Sequence, residues 1–202
     1  VEGAKLLKTD NSAPYGLRTD PSSLLRAFDD MPIDCRFVVI DYGDTFRADA
    51  YSELCTDRQA AIAKSDANAR LSAFVGELKK RLDKKSDLLI VLSPNSRSFT
   101  EIEDERLGAI LISGPGFCEG VLTSPSTQVS GVATLGDVGP TILNFMGIEP
   151  SADMVGRPIR SMPNRDVAGS LIALNKEASA QAQRQQIMRW GSVTQSVIVV
   201  IV

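Results

Sequence analysis

The chain has 202 residues, of which 43% are hydrophobic and 23% are charged, and its formal net charge is -3. A chain of this length can bury a sizeable core without disulfides, and its dispersed basic residues and few aromatic residues exclude a nucleic-acid binding surface. It contains no histidine, which excludes Ser-His-Asp and Cys-His catalysis by this chain alone and removes the commonest ligand of catalytic zinc.

Three cysteines, Cys35, Cys55 and Cys118, lie far apart in the sequence, and none belongs to a metal-ligand spacing. We expect buried free thiols, because isolated cysteines behave as small apolar side chains. One disulfide between two of them is also compatible with the sequence.

The first predicted elements are a short helix and a buried strand. Asp20 or a neighbouring serine precedes an apolar-periodic segment at 24–28, which predicts a capped helix. Residues 37–40 form a continuous β-branched and aromatic run, which predicts a strand buried on both faces. That strand ends at a polar cluster that contains Asp41 and Asp44.

A long helix is predicted from residue 57 to about residue 82, because apolar residues recur at three- and four-residue spacing in its second half. The remaining predicted elements are three strands and one helix, at 88–92, 109–112, 131–135 and 140–146. The last helix has Pro140 in its first turn and ends at Gly147. Strands that alternate with helices predict a three-layer α/β/α sandwich with a mostly parallel sheet.

The sequence divides into an α/β domain at 1–163 and an alanine- and glutamine-rich helical segment at 164–202, which leads to an apolar run at 197–202. This run is either a buried strand or the first turns of a transmembrane helix, since a full span needs about 20 apolar residues. We favour the transmembrane helix, because six exposed β-branched residues rarely end a domain. The chain is then expected to be anchored in a membrane.

Several short motifs follow one another in a fixed order within residues 37–159. They are Ile-Val-Leu-Ser at 90–93, Leu-Ile-Ser-Gly-Pro-Gly at 111–116, Leu-Thr-Ser-Pro-Ser-Thr at 122–127, Leu-Gly-Asp-Val-Gly-Pro-Thr-Ile-Leu at 135–143 and Gly-Arg-Pro at 156–158. As a set they resemble the second half of the alkaline phosphatase superfamily, which includes sulfatases and phosphoglycerate mutases. The resemblance implies the α/β/α sandwich and two divalent ions at the strand ends, which activate a nucleophile in the preceding half.

The resemblance also indicates where the family's metal ligands should lie. Its Asp-x-x-x-His element falls on Asp41 and Thr45, so the carboxylate is retained and the imidazole is replaced. Its Ser-Asp-His-Gly element falls on residues 93–96, where proline and Asn95 replace the ligands. A last histidine is expected near Ser126 and Thr127 and is absent. A paired-metal site is therefore not expected, because neutral Asn and Thr oxygens are poor zinc ligands.

The candidate residues of this degenerate cleft are Asp41, Asp44, Thr45, Arg47, Ser93, Asn95 and Thr127. One hypothesis is that Asp41, Asp44 and Asn95 bind at most one divalent cation, magnesium or zinc, weakly. The favoured alternative is that both aspartates form turns and cap the following helix. Arg47 is expected to pair with Asp44 or Asp49, although an anionic ligand is a further candidate partner.

These observations favour a non-catalytic, extracytoplasmic domain of a membrane-anchored protein that binds a small anionic ligand or a protein partner. The scaffold motifs remain while every histidine of the family is lost, and Asp137 is expected to cap a helix and not to act in catalysis. One alternative is a metal-dependent hydrolase or transferase of phosphate or sulfate esters, with its nucleophile in a segment that precedes this sequence. Another is a structural or assembly domain of a protein with several membrane spans.

Overall fold

A computed structural model of the chain describes residues 6–93, 107–178 and 180. The chain divides into two compact units, Val1–Asp83 (unit 1) and Lys84–Val202 (unit 2). Among the described residues, no helix combines the length and the apolar composition that crossing a membrane requires. The apolar run at 197–202 lies outside the described residues.

Unit 1 begins with a small hairpin and continues with helices. Its elements are β1 (Leu7–Thr9), β2 (Leu17–Thr19), α1 (Pro21–Asp29), α2 (Asp44–Tyr51) and α3 (Asp57–Lys79), with short 3-10 turns at Pro14–Gly16 and Ser52–Leu54. β1 and β2 are antiparallel, and Tyr15 and Gly16 reverse the chain between them with positive φ angles of 59° and 67°. The side chain of Asp20 accepts a hydrogen bond from the backbone N–H of Ser22 at 3.2 Å, which confirms the predicted cap of α1.

The long helix α3 supplies much of the core of unit 1. Thr56 caps the start of this helix. Its hydroxyl accepts a hydrogen bond from the backbone N–H of Gln59, and the Gln59 side chain accepts one from the backbone N–H of Thr56. Ala67, Phe74 and Leu78 are buried on one face of α3, and this helix packs against α2. The predicted helix is confirmed, with its end three residues earlier than expected.

The predicted buried strand at residues 37–40 is wrong. The segment has no regular secondary structure, and Phe37 and Val39 are 56% and 77% exposed. A strand is stabilised by hydrogen bonds between its backbone and that of a neighbouring strand. Within the described part of the chain, this segment makes no hydrogen bond from backbone to backbone. High β-propensity alone therefore does not make this run a strand.

Unit 2 contains four strands and two helices among its described residues. They are β3 (Leu89–Leu92), β4 (Ile110–Ser113), β5 (Gly120–Thr123), α4 (Leu135–Phe145), β6 (Arg160–Pro163) and a helix at 167–178. β3 pairs antiparallel with β4, so that Leu89 lies opposite Ser113. β5 pairs antiparallel with β6, and Val121 lies opposite Met162. Val121 and Ile159 are buried beside this second pair.

The predicted three-layer α/β/α sandwich with a mostly parallel sheet is wrong. In the described ranges every sheet has two strands and is antiparallel. Two of the strands on which the parallel sheet depended are absent, because residues 37–40 are irregular and residues 131–134 form a turn and a loop that lead into α4. β5 instead pairs with β6, a segment that was not predicted to be a strand. Within the described ranges there is therefore no parallel β-α-β crossover, and α4 lies instead in the connection between the antiparallel strands β5 and β6.

Helix α4 begins at Leu135 and not at the predicted residue 140, so Pro140 lies inside the helix. Proline has no N–H, and the carbonyl of Gly136 consequently lacks its usual helical donor four residues later. The backbone of Gly156 packs against that carbonyl so closely that a Cβ atom at 156 would lie 1.9 Å from it. The predicted end at Gly147 is confirmed, since its φ is 70° and the N–H of Ile148 donates to the carbonyl of Leu143.

Candidate functional site

The residues predicted for the cleft are distributed over both units. Unit 1 contains Asp41, Asp44, Thr45 and Arg47; unit 2 contains Ser93 and Thr127; and Asn95 lies outside the described residues. Asp41 is exposed, Asp44 is buried, and Thr45 is half-buried in α2. The structure brings Asp44 and Arg47 into contact.

Asp44 holds three elements of unit 1 together. One carboxylate oxygen accepts from the backbone N–H of Thr19 at 2.7 Å and from Arg47. The other lies 3.3 Å from Nε of Arg70 on α3. Burial alone would raise the pKa of Asp44, but the hydrogen bonds from Thr19 and Arg47 hold it below its usual range. Asp44 is therefore a structural anion, and the predicted pairing of Arg47 with Asp44 is confirmed.

Several hydrogen-bond donors in the neighbourhood of Asp44 lack a well-aligned acceptor. Nε of Arg18 lies 3.3 Å from Oδ2 of Asp10, too poorly aligned for a hydrogen bond. The ring of Tyr42 stacks on that of Phe74 with centroids 5.2 Å apart. Within the described part of the chain, the buried hydroxyl of Tyr42 and the buried Nε of Arg47 have no hydrogen-bond partner. Burial, and next the charge of Asp44, raise the pKa of Tyr42 above its usual value, so its hydroxyl is a neutral donor.

In unit 2 the central polar residue is Asp137, which is fully buried at the start of α4. Its Oδ1 accepts from the Ser126 hydroxyl at 2.6 Å and from the backbone N–H of Arg157 at 2.8 Å. Its Oδ2 accepts from the backbone N–H of Thr134 at 2.8 Å. Burial alone would raise the pKa of Asp137, but these hydrogen bonds outweigh it and hold the pKa far below its usual range. The predicted capping role is confirmed, and Asp137 also fixes residues 126 and 157 against the helix.

A shallow pocket of about 410 Å³ lies beside this carboxylate. We call it the Arg157 pocket, and it is lined by Pro125, Ser126, Thr134, Gly136, Val155, Gly156 and Arg157. Arg157 is the only charged residue among the seven and is exposed. Two hydroxyl groups and the apolar side chains of Pro125 and Val155 complete the wall. A pocket of this composition can bind a molecule that carries both an anionic and an apolar group.

The other two predicted residues of unit 2 make backbone contacts. The backbone N–H of Ser93 donates to the carbonyl of Ala109 at 2.9 Å and so extends the β3–β4 ladder. The hydroxyl of Thr127 donates to the carbonyl of Val132 at 2.8 Å and closes a loop. Its neighbour Ser126, which with Thr127 marks the place where the resemblance implies the last histidine, is the residue that lines the pocket.

The cysteines and carboxylates define no metal centre in the described ranges. No group of three or more histidine, cysteine, aspartate or glutamate side chains is placed there to hold an ion. All three thiols are free, and Cys35 and Cys118 are exposed. The expectation that these two thiols are buried is therefore wrong, because Cys35 belongs to the irregular segment before residue 43 and Cys118 to a loop before β5.

Two contributors to these clusters lacked a usable sequence signal. Arg70 is 26 residues away from Asp44, and only the packing of α3 on α2 brings them together. Arg157 belongs to the Gly-Arg-Pro motif at 156–158, but Arg160 lies three residues away, and the sequence does not distinguish the Arg157 side chain from an ordinary surface cation.

Comparison with known proteins identifies no relative of this chain. No family model matches it, and neither a curated protein nor a solved structure is significantly similar. The resemblance to the alkaline phosphatase superfamily consequently depends on the sequence motifs alone.

Proposed function

We propose that this chain is a non-catalytic domain that binds a small anionic ligand in the Arg157 pocket. The observation that carries the proposal is the position of the Arg157 side chain, which is the single charge on the pocket wall and is exposed to an incoming ligand. A guanidinium group can donate two parallel hydrogen bonds to one carboxylate or phosphate group.

The carboxylates of the chain support a binding role over catalysis. A general base needs a pKa near the working pH and a proton within reach. Asp44 and Asp137 are buried, accept several hydrogen bonds each, and have lowered pKa values, so both are poor bases. The chain also contains no histidine to take that role.

The charge of Asp137 does not prevent an anion from binding nearby. Its oxygens point at the Ser126 hydroxyl and at the backbone N–H groups of Thr134 and Arg157, whose dipoles offset the negative charge. The side chain of Arg157 provides the remaining positive charge at the surface. Because the pocket is shallow, we expect a dissociation constant in the range of about 10 μM to 1 mM.

The location of the domain is part of the same proposal. We also propose an extracytoplasmic position on a membrane-anchored protein, for which the apolar run at 197–202, outside the described residues, supports the anchor. A membrane-facing protein that binds anions without converting them would act as a sensor or as a binding module.

The experiment is a titration of the full chain, followed by NMR shifts of the Gly136 and Gly156 amides, which line the pocket. Phenyl phosphate and benzoate are expected to shift both amides saturably, whereas benzylamine, the cationic counterpart, is not. The Arg157→Gln variant should lose this response, while its backbone N–H remains available to Asp137. Arg160→Gln is the matched control, because Arg160 is exposed on β6 and does not line the pocket.

Three results would contradict the proposal. The first is an unchanged response in Arg157→Gln, and the second is equal binding of benzylamine. The third is release of phosphate from phenyl phosphate above a protein-free control, which would support the hydrolase alternative.

A further inference from the structure

Two arginines of unit 1 pair with one buried carboxylate, and a third arginine, Arg18, pairs with Asp10. Arg47 and Arg70 both pair with Asp44, and Arg18 and both of these arginines are close enough to influence the charge state of Tyr42. We call Arg18, Arg47, Arg70 and Tyr42 the arginine cluster. Its carboxylates are Asp44 and Asp10, so three guanidinium groups face two negative charges.

The cations and their carboxylate differ in exposure. The side chain of Asp44 is 2% exposed, whereas those of Arg18, Arg47 and Arg70 are 40%, 19% and 29% exposed. The three arginine side chains are therefore partly exposed, although Nε of Arg18 and Nε of Arg47 are themselves buried. An anion that approaches from solvent meets positive charge before it meets the buried carboxylate, and it is attracted over a distance of about 10 Å.

Several donors of the cluster lack an acceptor. The hydroxyl of Tyr42 and Nε of Arg47 are buried without a hydrogen-bond partner in the described part of the chain, and Nε of Arg18 has only its poorly aligned contact with Asp10. A buried donor without an acceptor destabilises a fold by about 1–3 kcal/mol. Such groups in native proteins normally bind an internal water or a ligand.

We propose that the arginine cluster binds one small oxyanion, such as a phosphate or carboxylate group, at a site independent of the Arg157 pocket. An oxyanion accepts several hydrogen bonds at once and also balances the third guanidinium charge, which a neutral water does not. Tyr42 is held for this contact by its stacking on Phe74. Asp44 keeps Arg47 and Arg70 in place from the other side.

The test compares the unfolding midpoint of the full chain in sodium phosphate, sodium acetate and sodium chloride at equal ionic strength and neutral pH. Saturable stabilisation by phosphate, by acetate, or by both supports the site and identifies the group that it prefers. The response should persist in Arg157→Gln, which separates this site from the Arg157 pocket. If neither anion stabilises the chain more than chloride does, the proposal fails.

Tyr42→Phe is the decisive variant, because it removes the hydroxyl and keeps the ring that stacks on Phe74. We expect about a tenfold loss of anion affinity, equivalent to about 1.4 kcal/mol. In chloride this variant should be as stable as the parent chain or more stable, since it removes a donor that has no acceptor. Tyr51→Phe is the matched control; its ring packs on Tyr15 in the same unit, and its hydroxyl is not among the unpartnered ones.

A second variant tests how the positive charge of the cluster contributes to anion binding. Arg18→Gln should weaken the anion response, because it removes the charge of the most exposed arginine side chain of the cluster without touching Asp44. Arg26→Gln on α1 is its matched control. The proposal is overturned if Tyr42→Phe destabilises the chain in chloride, which would show that an internal water satisfies the hydroxyl. It is overturned equally if Tyr42→Phe and Arg18→Gln respond to the anion as the parent chain does.

Discussion

Replacing Asp137 by asparagine is the sharpest test of how unit 2 is held together. The side chain is fully buried and accepts three hydrogen bonds, from Ser126, Thr134 and Arg157. Asparagine has the same shape but only one acceptor oxygen. Whichever way the side-chain amide is oriented, its NH₂ group replaces one carboxylate oxygen and faces a hydrogen-bond donor.

The expected loss in the free energy of unfolding follows from the hydrogen bonds that Asp137→Asn removes. A hydrogen bond to a charged group contributes about 1.5–3 kcal/mol, and a buried donor left without an acceptor costs about 1–3 kcal/mol more. Asparagine loses at least one such bond and leaves a backbone N–H or a hydroxyl unpaired. We therefore expect Asp137→Asn to lower the free energy of unfolding of unit 2 by about 3–5 kcal/mol.

The assay is hydrogen exchange of individual amides, which reports on unit 2 without requiring both units to unfold together. Protection of the Thr134 and Arg157 amides should fall by about two to four orders of magnitude, as an opening energy lower by about 3–5 kcal/mol requires. Asp153→Asn is the matched control, because Asp153 is exposed in the same unit and should change stability by less than about 0.5 kcal/mol. A loss below about 1 kcal/mol in Asp137→Asn would refute the reasoning.

The contribution of Asp137 to the stability of the fold should increase with pH. The pKa of Asp137 is lower in the folded chain than in the unfolded chain, so the carboxylate stabilises the fold above the unfolded pKa. This contribution is lost as the pH falls below about 5 towards the folded pKa. The difference in stability between the parent chain and Asp137→Asn should therefore narrow in acid, and a constant difference would contradict this assignment.

Three further substitutions test packing, each through the free energy of unfolding from a denaturant titration. Gly156→Ala should destabilise unit 2 by about 3 kcal/mol or prevent its folding, since the new Cβ would lie 1.9 Å from the carbonyl of Gly136. Gly76→Ala in α3, which has open space around it, should stabilise unit 1 by about 0.5–1 kcal/mol. Val39→Lys should change the free energy of unfolding by less than about 0.5 kcal/mol because Val39 is 77% exposed, and a loss of several kcal/mol would instead indicate a buried strand.

The features that sequence alone predicted correctly are local. The cap at Asp20, the start of α3 at residue 57, the end of α4 at Gly147 and the Asp44–Arg47 pair each involve residues within five positions of one another. Capping and helix periodicity depend on neighbours along the chain, and a sequence displays those neighbours directly.

The features that were wrong depend on partners distant in sequence. The run at 37–40 has strong β-propensity, but a strand exists only where a second strand pairs with it. β6 has the sequence Arg-Ser-Met-Pro, which carries no strand signal, and it is a strand because β5 pairs with it from about 40 residues away. The direction of pairing between β3 and β4 is likewise not contained in their apolar patterns, so a parallel sheet was inferred where an antiparallel pair exists.

The motifs that carry the family resemblance have a packing explanation in this structure. Pro140 removes the donor that the Gly136 carbonyl would otherwise meet, Gly156 is small enough to approach that carbonyl, and the backbone N–H of Arg157 reaches Asp137. The twenty-residue spacing between Asp137 and Arg157 is thus required by the fold of unit 2 without any reference to metal chemistry. Packing does not require a charged side chain at 157, however, because only the backbone of that residue is used. The guanidinium group of Arg157 is the part of the motif left available for binding, and for that reason the ligand experiment centres on it.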